Sequence, residues 1–175
     1  MKTRFITIFL LILMNFVFSQ EKQNNFSKKL EFFDPLTLSK DEDSLRLRIN
    51  AVFSECGEWG GHKESLIIYS NDKKEIYANY KKFSFSCDSL DYYYKNKIEI
   101  KPVLNKKIKL NSKKEDEITK YIIRLTKAKI TKKEVPIHSG SMFSVELDED
   151  FKIRILDNNP ENESNFNALI VEILK

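Results

Sequence analysis

Three strand-like runs follow one another between Ser44 and Phe85, the first and third alternating and the second apolar, with one cysteine after the first run and the other after the third. Leu45, Leu47, Ile49, Ala51 and Phe53 alternate with Arg46, Arg48, Asn50 and Val52. Ser65–Tyr69 (SLIIY) is a short apolar run, and Glu75–Phe85 alternates again through Ile76, Ala78 and Tyr80. A period of two is the mark of a strand with one buried face. Asn71-Asp72-Lys73-Lys74 is turn chemistry between the second and third runs. The three runs therefore predict an antiparallel meander, in which the ends of the first and third strands fall on the same side. Cys56 and Cys87 stand at those two ends and are expected to form a disulfide. Closing a loop of that length would stabilise the fold by about 3.7 kcal/mol on the chain-entropy account.

The compartment fits the bridge. Lys2 and Arg4 precede the apolar stretch Phe5–Phe18, and Val17-Phe18-Ser19 offers a cleavage site, so residues 1–19 read as a secretory signal peptide. The apolar stretch is shorter than the roughly twenty residues needed to cross a bilayer, so no transmembrane anchor is expected after cleavage. The expected location is secreted or periplasmic, where paired cysteines oxidise. Residues 20–43 are polar and read as a tether, touching the domain through Leu30, Phe32, Phe33 and Leu36, and residues 44–175 read as a single domain. The signal region takes two of the 30 basic residues and none of the 26 acidic ones, which leaves a formal charge of +2. With Lys and Glu interleaved in this way, nucleic acid is not an expected partner.

Beyond the meander, Lys97–Ile100 and Lys107–Leu110 read as short strands, the first either ending at Pro102 or lying at an edge. Ser112-Lys113-Lys114-Glu115 has the form of a capping box, and Ile118, Tyr121, Ile122 and Leu125 form an apolar stripe, which predicts a helix over 112–129. Met142–Leu147 and Phe151–Leu156 predict a hairpin. Asn159-Pro160-Glu161 opens a second helix carrying Phe166, Leu169, Ile170, Ile173 and Leu174 on one face, although Ala168–Ile173 alone also reads as a buried strand. The sum is an α+β domain: an antiparallel sheet of about five to seven strands with one or two helices on one face.

Three of the four glycines fall within Cys56-Gly57-Glu58-Trp59-Gly60-Gly61-His62, together with the only tryptophan and one of the two histidines. A tight connection between strands explains the glycines. The same segment is the candidate recognition surface, formed by Glu58, Trp59, Gly60, Gly61, His62 and Glu64. A metal site would draw on His62, Glu64 and the distant His138, with no short ligand spacing to support it. No phosphate-binding loop or dinucleotide fingerprint occurs, so no cofactor is expected. The expected function is a non-enzymatic binding module for a protein or for an envelope or carbohydrate ligand. The alternative is a metal-dependent or His-assisted hydrolase centred on His62 and Glu64.

Two resemblances bear on function. The run Cys56–Glu64, C-G-x-W-G-G-H-x-E, is similar to a turn of small exported bacterial proteins from which no activity carries over. Ser139-Gly140-Ser141-Met142-Phe143 resembles the S-G-x-x-Y loop of periplasmic lysozyme-inhibitor proteins, small exported β-rich domains with a disulfide. That resemblance implies a lysozyme partner engaged through Ser139–Phe143. The chain departs from it in carrying Phe143 where the family has tyrosine, and in its long helix.

Overall fold

A computed structural model describes Phe33 and residues 47–57, 61–71, 75–84, 86–89, 92, 95–96, 100–131, 140–147, 151–157 and 160–175. The described elements belong to one compact unit, Glu31–Lys175. Six strands, β1 (Leu47–Val52), β2 (Lys63–Ser70), β3 (Ile76–Phe83), β4 (Leu104–Lys109), β5 (Ser141–Leu147) and β6 (Phe151–Asp157), form one sheet in the order β4-β3-β2-β1-β5-β6. Every pairing is antiparallel. Two helices, α1 (Ser112–Thr131) and α2 (Pro160–Leu174), complete an α+β fold.

The first four strands are the meander extended by one. The chain then crosses through α1 from the β4 edge to the far side of β1, where β5 and β6 form the hairpin. Cys56 and Cys87 meet with their Cα atoms 5.4 Å apart and are bonded, as a meander of this register requires. Of the expected strand Lys97–Ile100, residues 97–99 lie outside the described residues and Ile100 is not in a strand. Lys107–Leu110 belongs instead to a strand beginning three residues earlier, at Leu104.

The alternation fixes which face is buried. Leu47, Ile49 and Ala51 of β1 share a face with Leu66 and Ile68 of β2 and with Phe143 and Val145 of β5, and all are buried. Both helices cover that face. Phe166 of α2 meets Phe143 and Phe53, and Tyr121 of α1 packs edge-on against Phe166 at 6.0 Å. Ile118, Tyr121, Ile122 and Leu125 are the buried stripe of α1, as their spacing predicts. Phe33 is buried in the same core.

The cap of α1 differs from the expectation. Asn111, not Ser112, is the N-cap: its Oδ1 accepts the Lys114 N–H at 3.0 Å, and its carbonyl accepts the Glu115 N–H at 2.9 Å. Asparagine caps as well as serine does, and it stands one residue earlier, so Ser112 becomes the first helical residue. Ala168–Ile173 is helical, within α2. That helix has no basic residue in its last turn. Lys114 Nζ from α1 donates instead to the Ile173 carbonyl at 2.8 Å, and Lys106 Nζ from β4 to that of Leu174 at 3.4 Å, which satisfies carbonyls a helix end leaves open. Among the described residues no helix is long and apolar enough to cross a membrane.

Candidate functional sites on the two faces of the sheet

The glycine-rich connection closes on itself before β2 begins. Gly57 has a φ of 64°, a conformation that favours glycine, directly after the bridged Cys56. Gly61 is needed for a different reason. A Cβ there would lie 2.4 Å from the Phe53 carbonyl oxygen and 2.8 Å from the Glu55 nitrogen. That close approach lets the Phe53 N–H donate to the His62 carbonyl at 3.0 Å and carries the β1–β2 ladder beyond the strand ends.

His62 and Glu64 project to the helix-covered face, two residues apart on a strand. The imidazole stacks on Phe53 with centroids 4.0 Å apart and planes 9° apart, and Phe53 in turn abuts Phe143 and Phe166. Nδ1 meets Glu55 Oε1 at 2.5 Å, and Nε2 meets Glu64 Oε1 at 3.2 Å. The His62 backbone N–H donates to the other Glu55 oxygen at 2.9 Å.

Glu64 is 4% exposed and fully partnered. Lys82, its cross-strand neighbour, reaches Oε1 at 2.8 Å, and the Tyr80 hydroxyl donates to Oε2 at 2.6 Å. Burial and the adjacent Glu64 carboxylate push the Tyr80 phenol well above its usual range. Burial pushes the Glu55 carboxyl up, but hydrogen bonds from the His62 backbone and ring, with the ring's charge, bring it to a net position below the ordinary 4.5. In the set formed by Glu55, His62, Glu64, Lys82 and Tyr80 both ring nitrogens face carboxylates, and the buried Glu64 carboxylate is partnered on both oxygens.

Among the sequence candidates, Gly61, His62 and Glu64 are thus brought together, while Glu58, Trp59 and Gly60 lie outside the described residues. So does His138, and among the described residues no group of three His, Cys, Asp or Glu side chains is placed to hold a metal. In the segment Ser139–Phe143, Ser139 lies outside the described residues, Ser141 opens β5, and Phe143 is buried in the core.

The opposite face of the sheet carries a trough of about 430 Å³, within the size range of small-molecule sites. Among the described residues its lining comes only from strands. Register explains its shape. One row across the sheet reads Arg154, Ser144, Asn50, Ser65, Lys81 and Asn105 from β6 to β4. Its central side chains are short, and Ser65 and Ser144 are buried at the floor. Arg48 and Ile67 flank this row on one side; Val52, Lys63, Phe83 and Met142 flank it on the other.

Arg48, Lys63 and Lys81 make no ion pair with a described residue, and Glu146, opposite Arg48 in the register and the one acidic residue of the described lining, is held by Lys152 at 3.1 Å. Further along the same face Lys107 sits 4.4 Å over the Tyr77 ring, and Lys109 is paired with Glu75. Sequence reasoning did not find this trough. Its signal is short polar residues at the outward positions of three strands, which shows only once those strands are placed side by side. Comparison with protein-family models, curated proteins and solved structures gives no match for this chain.

Proposed function

We propose that the mature protein is an exported, non-enzymatic binding module that receives its ligand in the trough on the open face of the sheet. The observation that carries this reading is the trough itself: a concave floor of short polar side chains between longer ones, opposite the face that builds the core. The Cys56–Cys87 bridge suits an oxidising compartment and the signal-like residues 1–19. The hydrolase alternative draws little support from His62 and Glu64, because a catalytic imidazole must reach a substrate proton and here both ring nitrogens already face carboxylates. The connection carrying Glu58, Trp59 and Gly60 leaves β1 at Val52 and enters β2 at Lys63, which is one end of the trough.

Ser144→Trp tests the reading by filling the floor. It should leave the unfolding midpoint of the disulfide-bonded protein within a few degrees of wild type. It should also abolish the thermal shift given by any compound in a panel of small glycans and short-chain amphiphiles that stabilises the wild type. Compounds that stabilise both proteins equally would place binding elsewhere and overturn the proposal.

A further inference from the structure

Resting on that reading, we propose that the trough selects an anionic amphiphile of small-molecule size, with a carboxylate or phosphate group on the polar floor and a short apolar arm along its side. Charge is the first ground. Arg48, Lys63 and Lys81 stand on three adjacent strands around one concavity, without an acidic partner among the described residues. Three like charges so placed repel one another, and a bound anion relieves that repulsion. Arg154 extends the basic row beyond Ser144. A guanidinium also offers a planar fork matched to carboxylate and phosphate oxygens.

The floor supplies the second ground. Asn50 Nδ2 lies 3.5 Å from Ser144 Oγ, a donor facing that oxygen, which leaves the Ser144 hydroxyl hydrogen free to be donated. Ser65, opposite Asn50 in the register, is 5% exposed, and its hydroxyl has no partner among the described residues. Two nearly buried hydroxyls that can donate, beneath three cations, form a cradle for oxygen acceptors. A purely cationic patch would have no need of them.

The third ground is the lining that is not polar. Val52, Ile67, Phe83 and Met142 are half-buried beside the polar row. A bare inorganic anion leaves that surface in water, whereas a short alkyl or aromatic arm covers it, at about 25 cal/mol per Å² of apolar area removed from solvent. The trough's volume matches a ligand of small-molecule size.

The experiment is an amide-resonance titration of the mature, disulfide-bonded protein with octyl phosphate, octanoate, inorganic phosphate and octyl glucoside, each below its micellar range. Octyl phosphate or octanoate should shift the amides of Asn50, Ser65 and Ser144, and which of the two binds tighter identifies the head group. Affinity should fall at least tenfold in Arg48→Gln/Lys81→Gln and should weaken as salt is raised. Binding of octyl glucoside in the trough with equal affinity would overturn the charge selection while leaving the trough as a binding site. Inorganic phosphate binding as well as octyl phosphate would overturn the role of the apolar arm. Trough amides that respond to none of the four would overturn this inference. If Ser144→Trp still removes the thermal shift from some other compound of the panel, the binding-module reading survives; otherwise both fall together.

Discussion

Replacing His62 with alanine separates a packed turn from a catalytic or metal-binding one. The substitution removes the ring's contact with the buried Glu64 carboxylate at 3.2 Å and its stack on Phe53 at 4.0 Å. A hydrogen bond to a charged group is worth about 1.5–3 kcal/mol, and an aromatic pair about 0.5–1.5 kcal/mol beyond the area it buries. Glu64 keeps Lys82 and Tyr80, so the low end applies to the first of these. The bond to Glu55 lies at the exposed rim and adds little. The sum is about 2–3 kcal/mol, which lowers Tm by roughly 6–9 °C in a domain of this size. The assay is urea and thermal unfolding of the oxidised protein, with Lys63→Ala as the control. Lys63 is next in sequence but points to the other face, and its removal should stay within about 0.5 kcal/mol. A His62→Ala loss below about 0.5 kcal/mol would refute the structural account. So would a zinc-induced rise in Tm that the variant loses, because a ligand that binds only the folded state stabilises it by mass action.

Gly61→Ala should be worse than its size suggests, destabilising by more than 2 kcal/mol in the same assay, because the new methyl meets backbone at 2.4 Å rather than a movable side chain. Ile122→Ala, on the buried stripe of α1, should cost about 2–5 kcal/mol in urea unfolding. Tyr121→Phe should be neutral or should stabilise by about 1 kcal/mol, since its buried hydroxyl has no partner among the described residues; a clear loss of stability would mean that the hydroxyl is bonded. The Glu55 carboxyl should titrate below 4.5 by carbon-detected resonance and move back toward 4.5 in His62→Ala. Because its folded-state value is depressed, the stabilisation it lends is present above 4.5 and fades as pH falls through the folded value.

The elements were legible where a single strand or helix carries its own signal. Period-two runs gave β1, β3, β5 and β6, the apolar stripe of Ile118, Tyr121, Ile122 and Leu125 gave α1, and Pro160 marked the start of α2. The cysteine pair then disclosed a tertiary fact, because bridged ends require the meander. Less was legible where the outcome depends on a competitor. Asn111 and Ser112 are both good caps in adjacent positions, and sequence offers no means of choosing between them. Leu104–Lys106 joined β4 through pairing with β3, not through alternation of its own, since only Ile108 of that strand is buried. At the turn, His62 and Glu64 stood out as a catalytic pair would. What surrounds them is Glu55 and Phe53 on one side and Tyr80 and Lys82 on the other, the last two reached only through the β2–β3 register.

The trough follows from that same dependence on register. Each of its floor residues is unremarked in its own strand: Asn50 and Ser65 occupy outward positions where any polar residue is tolerated, and Ser144 lies between Phe143 and Val145. Antiparallel pairing sets the three side by side, and a one-residue slip would turn all of one strand's side chains to the other face. The core blocks such a slip, since Ile49 would then leave the helices for solvent. The buried face therefore holds the open face in register without sharing any side chain with it. Asn50, Ser65 and Ser144 accordingly add no side chain to the helix-covered core, in which Phe53 and Glu64 are buried. Cys56–Cys87 ties the connection after β1 to the one after β3, at the end of the sheet where Val52, Lys63 and Phe83 lie.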